Sequence, residues 1–166
     1  MRRITLGTIV AASVLSIGGV AIAKTLQYRA EPVGTNEVPA NGSSASANLK
    51  LKVSSDRTEV RYDLKIDDPI ENVLQAHLHR AAVGVNGPIV VWLYPSAPPA
   101  VLISGTFDGR LAKGVITEED LCFSATAPLC GQWETFLDLL DSGGLYANVH
   151  TTAFPPGEIR DQVHSH

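Results

Sequence analysis

Three histidines have the spacing that most strongly suggests chemistry. His77 and His79 are separated by one residue, and His150 lies far downstream. In a β-strand, this H-x-H spacing places two imidazoles on the same side, with Cα atoms about 7 Å apart. Both rings can then reach one ion through metal–nitrogen bonds of about 2 Å. A third histidine on a neighbouring strand would complete a site of the kind that copper or zinc accepts.

The elements that must position these histidines are three predicted strands, over residues 73–80, 145–151 and 158–163. In each one, apolar and polar side chains alternate with a period of two, so the polar residues share one face. That face comprises Gln75, His77, His79, Tyr146, Asn148, His150, Glu158, Arg160 and Gln162. We therefore expect a polar sheet face with the core behind it. Solvated or structurally hydrogen-bonded histidines are the alternative to a metal site.

The same alternation continues through the rest of the chain. It predicts a hairpin of strands 45–53 and 60–66, and further strands over 89–94 and 101–111. The continuous apolar run of residues 89–94 predicts burial on both faces. A helix start at Thr117 and a short helix over residues 135–140, stopped by Gly143 and Gly144, are the helical signals. The pattern predicts an all-β antiparallel sandwich or barrel with one short helical insertion.

Residues 1–23 have the pattern of a removable signal peptide. Arg2 and Arg3 precede an uncharged apolar run that ends in the small residues Ala21 and Ala23. An uncleaved anchor is the alternative, because the run is nearly long enough to span a bilayer. Cleavage would leave residues 24–166 as one domain, in the periplasm or outside the cell, with no membrane segment.

The charge balance limits the classes of partner. The chain has 13 basic and 17 acidic residues, and removal of Arg2 and Arg3 leaves 11 against 17, a net charge of −6. The sequence contains no basic block and no basic stripe interleaved with aromatic residues, so we expect no nucleic-acid partner. It also contains no nucleophile motif and no Gly-rich phosphate loop.

Cys122 and Cys130 are the two cysteines of the chain. An even number in an exported protein favours a disulfide. A metal-binding cysteine pair is the alternative, but other ligands and the spacing of a zinc site are missing. Asn41 begins a glycosylation sequon, which matters only in a host that glycosylates.

Five segments, in order between about Gln27 and Val163, resemble the signature blocks of the CHRD domain. They are Asn36–Pro39, Ala76–Arg80, Gly84–Val90, Leu145–Thr151 and Pro156–Arg160. The domain is named for chordin and is widespread in exported microbial proteins. The resemblance implies an immunoglobulin-like β architecture, which makes the expected fold an antiparallel Greek-key or immunoglobulin-like sandwich or barrel. It implies only a loosely defined function, which in chordin is extracellular binding. Asp161 departs from the last block, and the segment between Cys122 and Cys130 looks like an insertion.

The order of four residues is also similar to that in copper,zinc superoxide dismutases. These enzymes place H-x-H on one strand, a third copper ligand far downstream and an arginine near the C-terminus. The similarity implies copper at His77, His79 and His150, with Arg160 attracting the superoxide anion. The histidines of the zinc loop are absent, so such a site would be copper-only and exposed.

Two functions are therefore expected. The first is metal binding through His77, His79 and His150, with copper favoured over zinc, either with superoxide dismutase-like turnover or as copper capture. The second is a non-enzymatic extracellular adhesion module, whose polar face would contact a protein or a glycan. His164 and His166 form another H-x-H, which we expect to be a frayed polar tail; a further metal ligand, supplied if the tail folds back, is the alternative.

Overall fold

The computed structural model describes residues 26–166, so the predicted signal peptide over residues 1–23 lies outside the described residues. The described chain forms one antiparallel sheet, nearly closed into a barrel, with one α-helix. The strands are β1 (Gln27–Ala30), β2 (Ser46–Val53), β3 (Val60–Arg80), β4 (Ile89–Tyr94), β5 (Ile103–Ile116), β6 (Leu145–Thr151), β7 (Ile159–Gln162) and β8 (His164–Ser165), and helix α1 is Trp133–Ser142. The predicted all-β antiparallel class is confirmed. Within residues 26–166, every helix is too short or too polar to span a membrane.

The long strand β3 organises the sheet. Its first half pairs with β2 on one side and β5 on the other. Its second half, from Val73 onwards, pairs with β6 and β4. Further strands extend the sheet in the order β7, β6, β3, β2, β1 and β8. The two halves of β3 therefore have different neighbouring strands.

The prediction of two separate strands over residues 60–66 and 73–80 is wrong, because β3 runs through both. The register with β5 shifts between Ile66 and Ile70, where Pro69 has no N–H to donate, and then resumes at the pair Ile70 and Phe107. Asn72 has φ 51° and its side chain accepts a hydrogen bond from the Gly105 N–H at 2.9 Å. The irregularity is thus bridged by β5 and does not end the strand.

The core lies inside the sheet and is closed at one side by α1. Alternating residues of β2 and β3, among them Leu49, Leu51 and Leu64, are fully buried. The helix contributes a buried apolar face of Phe136, Leu137 and Leu140, and ends where Gly143 adopts a left-handed conformation with φ 69°. The predicted short helix is confirmed and is four residues longer than expected.

Two local expectations need correction or confirmation. β4 is not buried evenly, because Trp92 and Tyr94 on it are half-buried. The ring of Trp92 lies 6.5 Å from that of Phe123. The predicted disulfide between Cys122 and Cys130 is confirmed.

The C-terminal tail is not frayed. His164 and Ser165 form β8, which pairs with β1, and the N–H of His166 donates to the Gln27 carbonyl at 2.9 Å. His164 accepts a hydrogen bond from Arg29 Nε at 3.1 Å. Backbone pairing with β1 therefore orders a tail that its polar composition had suggested to be frayed.

Candidate metal centre

The register of the sheet brings the three predicted histidines together. His77 and His79 lie on the second half of β3, and β6 pairs with it so that His150 is opposite Gln75. The ring centroids of the three residues are 5.0 to 5.8 Å apart. One ring nitrogen from each lies within 4.8 Å of the others. We call His77, His79 and His150 the histidine cluster. It could hold a metal ion.

Two carbonyl oxygens orient two of the imidazoles. Nδ1–H of His79 donates to the Gly87 carbonyl at 3.0 Å, and Nδ1–H of His150 donates to the Pro155 carbonyl at 2.9 Å. Each neutral ring then keeps its lone pair on Nε2. Carbonyl partners of this kind fix the tautomer and ring orientation of histidines that bind metals.

His77 lies within ligand distance of His150. Its Nδ1 lies 3.2 Å from Nε2 of His150. Two nitrogens bound to one tetrahedral ion at about 2 Å would be about 3.3 Å apart. The pair therefore already has the separation of two ligands of one ion. A direct hydrogen bond from His77 to His150 also explains this distance. The distance alone therefore does not distinguish a metal site from a structural hydrogen bond.

Ring nitrogens without a hydrogen-bond partner distinguish a metal site from a structural hydrogen bond. Nε2 of His77 and Nε2 of His79 are buried and have no hydrogen-bond partner within the described chain. A buried polar atom without a partner costs about 1–3 kcal/mol. A hydrogen bond between His77 and His150 leaves both atoms unpaired, whereas a bound ion would engage the His79 atom. The residues present thus fit an imidazole-bound metal.

Burial keeps the cluster neutral. Loss of solvation lowers the pKa of His77 to about 2 and that of His79 to about 4, and it also lowers the pKa of His150. For His77, the neighbouring histidines add to this decrease, whereas the Gly87 carbonyl partly offsets it for His79. The neutral imidazole is the form that binds a metal ion.

The expectation that the site is exposed is wrong. His77 is 0% exposed, His79 8% and His150 5%. Loops cover the polar face: the segment at Gly87 is fixed to His79, and the segment at Pro155 is fixed to His150. Period-two alternation correctly placed the histidines opposite the core, but it contains no information about the loops that cover that face.

The aromatic neighbours of the cluster were not predicted as part of it. The indole of Trp92 lies edge-on to His77 with centroids 4.3 Å apart, since β4 pairs the two residues. Tyr146 stacks on His79 at 4.7 Å. The polar alternation indicated Tyr146, but only the pairing of β3 with β4 identifies Trp92.

Arg160 lies near the cluster, but other groups hold its guanidinium. It donates to the Asn86 side chain at 2.8 Å and to the Val85 carbonyl at 3.1 Å, and it packs over the ring of Tyr146. Its charge is close enough to lower the pKa of His79. The structure thus places Arg160 beside the cluster, and its predicted role in attracting an anion stays a prediction.

A second polar network lies on the same covered face. Asn148 donates to the Glu37 carboxylate at 2.6 Å, and burial raises the pKa of Glu37. Glu158 accepts hydrogen bonds from the hydroxyls of Ser43 and Thr151, both at 2.6 Å. These contacts attach the segment around residues 37–43 to the sheet and help to bury the face.

Two further expectations are affected by this cover. Tyr146 and Asn148 are buried, so they are not available to the protein or glycan partner that an adhesive polar face would need. The Asn41 side chain donates to the Glu158 carbonyl at 2.9 Å, so a glycan on that nitrogen would compete with an internal hydrogen bond.

Comparison with known protein families finds a match. The model of the CHRD domain matches residues 28–163, which is most of the chain. No curated protein and no solved structure matches it. The similarity to copper,zinc superoxide dismutases therefore receives no support from relatives.

Proposed function

The chain belongs to the CHRD domain family, and we propose that its histidine cluster binds one transition-metal ion. The observation that carries this proposal is the convergence of three buried imidazoles, two of them oriented by carbonyls, with a buried His79 nitrogen that has no partner in the described chain. An all-imidazole donor set suits Cu(II) and Zn(II), and copper is our first choice, with zinc as the alternative.

The proposal includes export. Residues 1–23 would act as a signal peptide, and residues 24–166 would be the mature domain outside the cytoplasm. The Cys122–Cys130 disulfide is typical of oxidising compartments, and the family is extracellular. Metal binding would then occur where cytoplasmic reductants and copper chaperones are absent.

Metal loading tests the proposal directly. The protein is treated with Cu(II) or Zn(II), dialysed, and analysed for bound metal. We expect about one equivalent for the native protein and less than about a tenth for His77→Ala/His79→Ala. The matched control is His164→Ala/His166→Ala, which removes an exposed H-x-H of the same spacing. Metal bound equally by both variants would refute the assignment.

Superoxide dismutation is the second candidate function. Copper would supply one-electron redox chemistry, so that two superoxide anions and two protons give dioxygen and hydrogen peroxide. Arg160 favours this candidate, because it places a positive charge beside His79 in a mature domain whose net charge of −6 would otherwise repel an anion. The alternative outcome is copper capture without turnover.

A paired measurement separates these outcomes. The copper-loaded protein should remove superoxide, whereas the zinc-loaded protein should not, because zinc has no redox chemistry. Arg160→Gln removes the charge, and we expect it to lower the rate most at low ionic strength. A rate independent of this substitution would exclude the attraction of the anion, and equal rates with both metals would exclude turnover.

A further inference from the structure

We propose that the solvent-facing side of β1, β2, β3 and β5 binds an acidic polysaccharide, one that carries a carboxylate or sulfate on successive sugar units. A groove of about 530 Å³ crosses these strands. Five cationic side chains line it, and we call them the basic face: Arg29, Lys50, Lys52, Arg61 and Lys113. The proposal is independent of the metal, because the histidine cluster lies on the other half of β3.

Strand pairing assembles this face in rows. Arg29 on β1 pairs with Lys50 on β2, which lies in one row with Asp63 of β3 and Lys113 of β5. Lys52 pairs with Arg61 in the next row. Neighbouring strands are about 4.8 Å apart, and alternate residues of one strand are about 7 Å apart. The positive charges are therefore spaced at about one or two sugar units, with Asp63 lying between Lys50 and Lys113.

Most of this charge is not neutralised. The face holds five of the ten lysines and arginines in residues 26–166. Arg61 pairs with Glu59 at 2.9 Å and Arg29 pairs with Glu31 at 4.0 Å. Lys50, Lys52 and Lys113 make no ion pair within the part of the chain that the structure describes. Asp63 is the carboxylate that lines the groove, and Arg110 already pairs with it at 3.0 Å. Three lysines are thus available to an anionic ligand.

The shape and chemistry of the groove favour a polysaccharide over other polyanions. Single-stranded nucleic acids bind by stacking their bases on aromatic rings. Tyr28 and Tyr62 line the groove, but both are buried, and their hydroxyls bond to Asp141 and to the Leu93 carbonyl. Stable binding to a membrane surface usually adds several inserted apolar side chains to the cations. Strand pairing places one exposed large apolar residue, Val115, beside Arg61, which is too few for such insertion. The proposed export also places the face where acidic polysaccharides occur.

The test measures binding of the protein, expressed from the full-length chain, to polygalacturonate and to heparin, with neutral dextran as the control. We expect binding to both acidic polysaccharides that weakens as salt increases. Lys50→Gln/Lys52→Gln removes two exposed charges and should weaken binding about tenfold, with a smaller salt dependence. The matched variant Arg57→Gln/Arg80→Gln removes two charges elsewhere and should change binding less than about twofold.

Further ligands and variants test the choice of ligand, the location of the site and its independence from the metal. Binding to oligodeoxythymidine or to phosphatidylserine vesicles that is stronger than binding to the polysaccharides would overturn the choice of ligand. Equal losses in the two charge variants would show only an effect of net charge, and would overturn the site. His77→Ala/His79→Ala should retain full polysaccharide binding, so a failure of the metal proposal remains distinguishable from a failure of this one.

Discussion

The two halves of β3 have the same alternating pattern but different environments. In the first half, Arg61, Asp63 and Lys65 alternate with buried Tyr62 and Leu64, and the charged side chains face solvent or lie in the basic face. In the second half, the side chains that alternate with the core include His77 and His79, and these two histidines are buried as well.

The cause of this difference is the cover over each half. Charged side chains of the first half form ion pairs at the surface, such as Lys65 with Asp67 at 2.7 Å and Asp63 with Arg110 at 3.0 Å. Over the second half, loop groups at Gly87, Pro155 and Glu37 accept hydrogen bonds from side chains of β3 and β6. The covered half can therefore hold neutral imidazoles with unpaired nitrogens, whereas the open half presents charge to solvent.

Acid should have the largest effect, because it should destabilise the protein through the buried histidines of the second half. The buried histidines have lowered pKa values, so the unfolded chain takes up protons below about pH 6.5 while the folded protein does not. The free energy of unfolding of the metal-free protein should therefore fall between pH 6.5 and 5, by on the order of 2 kcal/mol for each histidine that stays neutral. Urea unfolding in the presence of a chelator at the two pH values measures it.

Two variants sharpen the acid experiment. His77→Gln/His79→Gln should show a much weaker pH dependence, and His164→Gln/His166→Gln, which changes exposed histidines, should keep that of the native protein. Glu37 acts in the opposite direction, since its raised pKa means that the folded protein takes up this proton first. A stability that does not change from pH 6.5 to 5 would contradict the burial of neutral imidazoles.

Removal of one ligand should have the next largest effect. His79→Ala deletes a nitrogen that has no other partner in the described chain, and we expect metal affinity to fall more than about 100-fold. Lys65→Ala, on the open half of the same strand, should leave the affinity unchanged. Competition with a chromophoric chelator measures both. Similar losses of metal affinity in the two variants would mean that the metal does not bind specifically at the second half of β3.

Fluorescence should show a smaller, local effect. Trp92 contacts the ring of His77, whereas Trp133 lies on α1 and donates its indole N–H to the Arg57 carbonyl. Cu(II) at the histidine cluster should quench the emission of Trp92, and Zn(II) should not. Trp92→Phe should abolish most of the quenching, but Trp133→Phe should retain it. Quenching that disappears only with Trp133 would place the ion elsewhere.

The smallest effect is expected at the open half. Arg61→Ala breaks an exposed ion pair with Glu59, so the denaturation midpoint should change little. A thermal melt measures this. A large decrease would show that the open half contributes to stability through more than solvated charge.

Much of this arrangement can be predicted from the sequence because it depends on local alternation. The hairpin of β2 and β3, the strand of β6 and the side of the sheet that carries His77 and His79 follow from a period of two. The five CHRD-like segments correctly indicated the family, and the cysteine count correctly indicated the disulfide.

The remainder depends on contacts between distant segments. Burial of the histidines requires Gly87 and Pro155 to fold over them, and Trp92 reaches His77 only through the pairing of β4 with β3. The basic face was missed for the same reason, because its cations are dispersed over four strands as single residues between apolar ones. Alternation predicts the direction of a side chain, but not its neighbours.

Electron paramagnetic resonance of the Cu(II)-loaded protein tests the central claim most directly. With histidines labelled with ¹⁵N, the spectrum should show coupling of one copper ion to three imidazole nitrogens. That coupling should be reduced in His150→Ala and unchanged in His164→Ala/His166→Ala. A spectrum that His150→Ala does not alter, or one that shows no coupling to histidine nitrogen, would contradict metal binding by the histidine cluster.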